Sequence, residues 1–225
     1  MPWSDPIDHV AESPRLPAAL PDPGEWDGQL HPTRGVAVLD TVAITGASIE
    51  ADGIGDLQIL DSQLSNCALT TGRYDAVDII DSVLIECDLS RVSLGRVKGS
   101  RLVGCKLVGT DVSESTIRDT ELARSTLTYT NAREASLTRV AFIDCQLEDV
   151  DLSAASLHHC TTAGCELSEV NIAGTFFEAV DLRDATLLGF TGIERLAGCV
   201  LSEKQVLQLA PQLALAAGAT IERRP

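Results

Sequence analysis

Every fifth residue from Leu39 to Leu94 is apolar: Leu39, Ile44, Ile49, Ile54, Ile59, Leu64, Leu69, Tyr74, Ile79, Leu84, Leu89 and Leu94. The register then breaks. A second run of nineteen positions goes from Val97 to Leu187 in the same steps of five, with only Thr162 polar. Chance at the chain's 44% hydrophobic content would make roughly 14 of these 31 positions apolar, yet 30 are. The column two residues earlier is as tight. It holds Ala, Val, Ser, Cys, Gly or Thr everywhere but at Asp52 and Leu57. A period of five fits neither the 3.6 of a helix nor the 2.0 of a strand. It requires a chain that turns a corner every five residues and sends two side chains inward on each side, which is a square coil.

The residue types suit a narrow lumen. Aromatics make up 4% of the chain and there is one Met. The apolar mass is therefore Leu, Ile, Val, Ala and Cys rather than large rings. A polar residue often stands between the two inward positions, as in Cys87-Asp88-Leu89, Val150-Asp151-Leu152, Val170-Asn171-Ile172 and Val180-Asp181-Leu182. These triplets resemble the A(D/N)LXX motif of the pentapeptide repeat family, over about residues 37 to 189. The resemblance implies an all-β solenoid, a right-handed quadrilateral β-helix with four repeats per coil. At the inter-strand spacing of 4.8 Å the rod would be about 37 Å long. Three segments are expected: a Pro-rich extended arm over 1–35, the repeat solenoid over 36–190 with its register break near 94–97, and a helical cap over 191–225.

Six of the seven cysteines fall at the small inward position: Cys67, Cys87, Cys105, Cys145, Cys160 and Cys165. The step from Cys87 to Cys105 is 18, two short of a coil, and the break between Leu94 and Val97 is short by the same two residues. A trimmed corner would keep both halves on one axis and stack Cys67, Cys87, Cys105, Ser125, Cys145 and Cys165 as one ladder. Buried free cysteine behaves as a small hydrophobe. His158-His159-Cys160 has the look of a metal-ligand cluster, but the period sends Cys160 inward and both histidines outward, so no metal and no cofactor is expected. A reactive surface thiol is expected only at Cys199. The opening residues lack a basic stretch followed by an apolar one, which reads as a cytoplasmic protein with reduced thiols.

Solenoids must cover their apolar ends. The arm carries seven prolines between Pro2 and Pro32 and both tryptophans, Trp3 and Trp26, which could pin it to the rod's side, to the first coil or to another subunit. At the other end Ser202-Glu203-Lys204-Gln205 has the form of a capping box, and Gly218 reads as a stop. Pro211 is expected to start a second short helix. The resemblance implies that such helical ends dimerise as well as plug, so a homodimer through the C-terminal helices stays open beside a plug alone.

The formal net charge is −16, which argues against direct nucleic-acid or anionic-membrane binding. Charge is uneven along the rod. Residues 36–72 hold five acids and no base, 73–139 ten of each, and 140–190 nine acids and only Arg183. Asp119/Arg139, Arg101/Glu121 and Arg124/Asp144 lie twenty apart and should meet on neighbouring coils as surface pairs of small net value. Two clusters remain as candidate binding surfaces. One is acidic: Glu148, Asp149, Asp151, Glu166 and Glu169. The other is basic and flanks the break: Arg91, Arg96, Lys98, Arg101 and Lys106.

No nucleophile elbow, phosphate loop or paired catalytic carboxylates occur, and a lumen filled by its own side chains offers no reaction cavity. The reading is a non-enzymatic protein-binding or scaffolding rod. The resemblance adds an alternative, since some pentapeptide repeat proteins bind DNA gyrase as DNA mimics and protect it from quinolones or toxins. A duplex carries about 22 charges over this length, against a net −13 from 24 acids and 11 bases over 36–190. The central positions are also mostly Leu and Ile, with Phe only at Phe142 and Phe177.

Overall fold

The structure, a computed structural model, describes residues 12–17, 19–50, 54–69 and 74–221; Trp3 lies outside them. It is a β-solenoid of eight coils whose strands run from Val36–Asp40 to Thr186–Thr191, closed by one helix, Glu203–Ala216. Strands on successive coils pair in parallel, twenty residues apart, as in Val36↔Asp56, Thr116↔Ser136 and Gln146↔Glu166.

The coil follows from the two inward columns. Of the 31 central positions all but the half-buried Ile117 are buried, Thr162 included. Side chains flanking each centre point outward because successive residues of an extended chain alternate faces. The corner falls two residues past the centre, in the left-handed region: Asp61 at φ 46°, Asp81 at 48°, Asp119 at 53°, His159 at 55°. Asp and Asn tolerate that region better than most residues, and they or glycine take many of the corners. Taking the sides in chain order, the first carries centres Leu39, Ile59 and Ile79, and the second Ile44, Leu64 and Leu84. The third carries Ile49, Leu69 and Leu89, and the fourth Ile54, Tyr74 and Leu94. Strands Thr116–Ala123 and Ser136–Ile143 run through the corner between first and second sides, so these two sides form one sheet.

Small inward polar groups are satisfied by the ladder itself. On the second side Ser62 Oγ accepts from Val42 N and Ser82 Oγ from Ser62 N, each at 3.1 Å, and Ser100 Oγ continues the series from Ser82 N. Each hydroxyl donates to the carbonyl two residues before it, at 2.6 to 2.8 Å. On the third side Cys105 N donates to Ser125 Oγ at 3.0 Å and Cys145 N to Cys165 Sγ at 3.4 Å. Across the break Lys106 N donates to Cys87 O at 3.0 Å, as Asp88 N does to Cys67 O at 2.9 Å one coil earlier, so the ladder continues past it. Tyr74 fills its central position with its ring and donates its hydroxyl to Ile49 O at 2.7 Å.

The break is a corner without a turn. Leu84 pairs with Leu102 and Ser93 with Asp111, both eighteen apart, whereas Arg96 pairs with Thr116 at the normal twenty. Strand Leu94–Lys98 runs straight through, and Gly95 and Arg96 bulge opposite Asp78. The Asp78 carboxylate fills the bulge. It accepts from Arg96 N at 2.9 Å, Arg96 Nε at 3.1 Å and Arg96 Nη2 at 2.6 Å. A Cβ on Gly95 would sit 2.9 Å from Asp78 Oδ1, so the bulge needs glycine for space.

At the C-terminal end Ser202 and Gln205 form the reciprocal capping box. The Gln205 side chain is buried, and its Nε2 donates to Leu182 O and Ala185 O, carbonyls of the last coil. Leu209 and Ile193 are buried against the core. Pro211 does not start a second helix; it lies inside Glu203–Ala216. The carbonyl it leaves without a donor is that of Leu207, a residue 76% exposed, where water serves instead. Gly218, at φ 83°, donates to Leu215 O and ends the helix. At the N-terminal end Trp26 and Leu30 pack against the core, and Gly24 adds a parallel bridge to Val42, donating to Thr41 O at 2.6 Å.

Candidate protein-binding surface

The acidic cluster is built by the repeat. Glu148 and Glu166 face outward from the third side, in strands Gln146–Glu148 and Glu166–Asn171. Asp149 and Glu169 take left-handed corners between third and fourth sides, one coil apart and both at φ 51°. All four are exposed, and none makes an ion pair among the described residues. Asp151 is different. It stands on the fourth side, accepts from Asn171 Nδ2 at 3.0 Å and from Ser153 N at 2.9 Å, and has Arg133 Nη1 at 3.9 Å. It is one rung of an Asp–Asn ladder in which Asn131 donates likewise to Asp111. Tyr129, 65% exposed, occupies the corner one coil before Asp149. Tyr129, Asn131, Arg133, Asp149 and Asp151 line a shallow open depression there.

The basic residues are not gathered. Arg96 and Lys98 lie on the first side, Arg101 on the second, Lys106 on the third, and Arg91 on the corner between third and fourth. They girdle one coil instead of forming a patch. Arg96 is held by Asp78, and Arg101 lies 3.4 Å from Glu121. The expected Asp119/Arg139 pair forms as well. Arg124 and Asp144 make no ion pair; the Asp144 carboxylate leans over Gly164, where the missing Cβ leaves room.

His158 pairs with Glu178 at 2.7 Å and its ring lies 5.4 Å from that of Phe176. Cys160 is buried behind it, its thiol pushed up to about 12 by burial. Among the described residues no group of three or more His, Cys, Asp or Glu converges as metal ligands do. Cys199 departs from the expectation of a reactive surface thiol. It is half-buried against the core, and desolvation pushes it up to about 12. No helix among the described residues is long and apolar enough to cross a membrane.

A further contact had no periodic signal in the sequence. Arg15 N donates to Asp119 Oδ1 at 3.3 Å, 104 residues away, so Arg15 lies at the edge between first and second sides.

The family profile for pentapeptide repeats matches eight copies, over residues 117–153 and 151–189. No curated protein sequence matches the chain. Similar solved structures include the following three. HetL is a pentapeptide repeat protein involved in heterocyst differentiation regulation from the cyanobacterium Nostoc sp. strain PCC 7120. It is 21% identical over 74% of this chain and 90% of its own, with a TM-score of 0.39. QnrB1, a plasmid-mediated fluoroquinolone resistance protein, is 18% identical over 80% of this chain and 99% of its own, with a TM-score of 0.34. Rfr23, a pentapeptide repeat protein from the cyanobacterium Cyanothece 51142, is 20% identical over 51% and 64%, with a TM-score of 0.23.

Proposed function

Because the chain belongs to the pentapeptide repeat family, whose coil spends both inward columns on its own core, we propose that it is a non-enzymatic rod that binds a cationic protein surface along its acidic third-to-fourth edge. The observation that carries this is the unneutralised set Glu148, Asp149, Glu166 and Glu169. Asp119 and Glu121 each meet an arginine one coil away, whereas here four exposed carboxylates crowd one edge on two adjacent coils with no ion-pair partner. Mutual repulsion in such a set is relieved by an incoming cation, and electrostatic complementarity of this kind favours on-rate and choice of partner. The lumen supports the non-enzymatic reading. It leaves about 80 Å³ of space lined by apolar side chains such as Leu102, Leu127 and Phe142, with no acid–base pair inside it.

The test is affinity capture with the intact chain and with the Asp149→Lys, Glu169→Lys double variant, with recovered proteins quantified by mass spectrometry. Binding through this edge predicts a specific basic protein recovered by the former and lost with the latter. Identical recovery by both removes the edge from the function.

A second reading, a DNA-mimicking topoisomerase binder, is favoured by the net −13 of the solenoid and by the outer face of the cap helix. That face exposes Leu207 at 76% and Leu215 at 57%, apolar surface suited to a second copy and hence to a rod of twice the length. Gyrase supercoiling, titrated with this protein with and without a quinolone, tests the partner; no inhibition and no protection at saturating protein rejects it. Light scattering of Leu207→Glu beside the intact chain tests the homodimer.

A further inference from the structure

The edge between first and second sides carries a run of outward apolar residues. Its corner column runs Thr41, Asp61, Asp81, Gly99, Asp119, Arg139, one residue per coil. Leu60 and Ile80 flank it on the first side and Val83, with Ile85 and Val103 beyond, on the second. All are outward-facing yet only half-exposed, and the outward Ala141 is buried at 8%. Asp119 and Arg139, although corner residues, keep side-chain exposures of only 11% and 12%.

Three contacts bring the arm to this edge. Glu12 lies near enough to Arg139 to act on its charge, Arg15 N donates to Asp119, and Gly24 pairs with Val42 on the first coil. The nine steps from Arg15 to Gly24 therefore descend from the fifth coil to the first. Four coil spacings of 4.8 Å make about 19 Å, within reach of nine extended residues. Burial alternates over residues 13–17, with Pro14 and Leu16 half-buried between exposed Ser13, Arg15 and Pro17; Leu20 is half-buried after exposed Ala19, and residues 21–25 are all exposed. A period of two marks an extended segment with one face down. The segment has no secondary structure of its own to bury those leucines.

We propose that this edge is a docking track for an extended peptide segment with leucine and proline facing the rod, and that residues 12–24 fill it in the free protein as an internal placeholder. The track supplies apolar flanks for alternate side chains and a carboxylate, Asp119, for a backbone N–H. Prolines in the arm keep it extended and lower the entropy lost on docking. They also remove backbone donors, so the arm is held by few hydrogen bonds and an external segment of the same chemistry can displace it. A protein with such a segment would meet this edge, while a cationic surface would meet the acidic edge; the two are separate surfaces.

The experiment uses the full chain and a fluorescent synthetic peptide with the sequence of residues 12–24. Peptide binding is followed by anisotropy for the intact chain, for the arm-weakened variant Leu16→Ser, Leu20→Ser, and for that variant with Val83→Asp added. The arm-weakened variant should bind the peptide about tenfold more tightly than the intact chain, the factor set by a track occupied nine-tenths of the time. Adding Val83→Asp should abolish the gain. In the intact chain, excess peptide should speed hydrogen exchange of the Gly24 amide, which requires no variant to fold. Equal binding by intact and arm-weakened chains, binding that survives Val83→Asp, or a Gly24 amide indifferent to excess peptide would each overturn the proposal.

Discussion

Arg139 stands one coil after Asp119 and grips its carboxylate with two bonds, Nε to Oδ1 at 2.6 Å and Nη2 to Oδ2 at 2.8 Å. Both residues are left-handed corners at φ 51° and 53°, so the twenty-residue period alone brings them into register. The hydrogen bonds from Arg139 hold the Asp119 carboxyl below its ordinary 3.8. A carboxyl depressed in the folded state adds stability above its unfolded value and loses it as pH falls through the folded one. Asp119→Asn should therefore cost about 1–2 kcal/mol at neutral pH, and the gap from the unsubstituted chain should close below pH about 4. Urea melts at neutral and acid pH read both effects.

The square coil predicts opposite fates for neighbouring residues. Leu64 is fully buried at a central position, while Gln63 beside it faces water. Leu64→Ala should cost about 2–5 kcal/mol, whereas Gln63→Ala should stay within about 0.5 kcal/mol. Denaturant midpoints of the two variants give the comparison.

Leu64 also marks where sequence reading succeeds. Its column repeats so strictly that each position is fixed by all the others, and the cysteine ladder and trimmed corner follow from the same arithmetic. Ser202 and Gln205 were legible because a capping box is local in sequence. The Asp78 carboxylate in the bulge was not. It serves a backbone N–H eighteen residues away, and nothing in its own triplet differs from a solvated aspartate. The arm's path was hidden for the same reason, since Arg15 meets Asp119 without any repeat relating them. Pro211 misled because its effect depends on which face of the helix carries the lost bond. Cys199 misled because it lies outside the period yet pairs with Val180 and packs against the core. The basic girdle looked like a patch because closeness in sequence is not closeness around a coil: every five residues change the side.

Gln205 replaces the coil that would have come next. Its amide donates to the carbonyls of Leu182 and Ala185, at 2.5 and 2.7 Å. Gln205→Leu keeps the bulk but leaves both carbonyls without donors in a buried place. The expected cost is about 1–3 kcal/mol. Hydrogen exchange should also rise in the last coil, at the amide of Thr186, while the first coils keep their protection.

Glycines at the corners should divide by what stands behind them. Gly46, at φ 69°, has open space where a Cβ would go, whereas a Cβ on Gly198, at φ 92°, would meet the Phe177 carbonyl, with its carbon at 2.7 Å. Both alanine substitutions carry the backbone penalty of a positive φ, about 1 kcal/mol. Gly198→Ala must in addition push strand Cys199–Val200 off its partner Val180–Asp181. Thermal melts should show Gly198→Ala clearly less stable than Gly46→Ala.

The thiols test whether the lumen is closed. Cys67, Cys87, Cys105, Cys145, Cys160 and Cys165 each expose 2% or less. Burial holds Cys160 up at about 12, and the thiol bond to Cys145 raises Cys165 further. Alkylation needs both a thiolate and a path for the reagent, and a stacked ladder inside paired strands offers no path short of opening several coils at once. Cys199 is half-buried and also held at about 12, so it should lag far behind a free thiol. Iodoacetamide at mildly alkaline pH should thus leave all seven unmodified in the native chain. On adding denaturant, labelling of the six lumenal cysteines should appear together, at the midpoint reported by circular dichroism. Early labelling of Cys67 and Cys87 without Cys145 and Cys165 would instead reveal that the coils before the trimmed corner unfold as a separate unit.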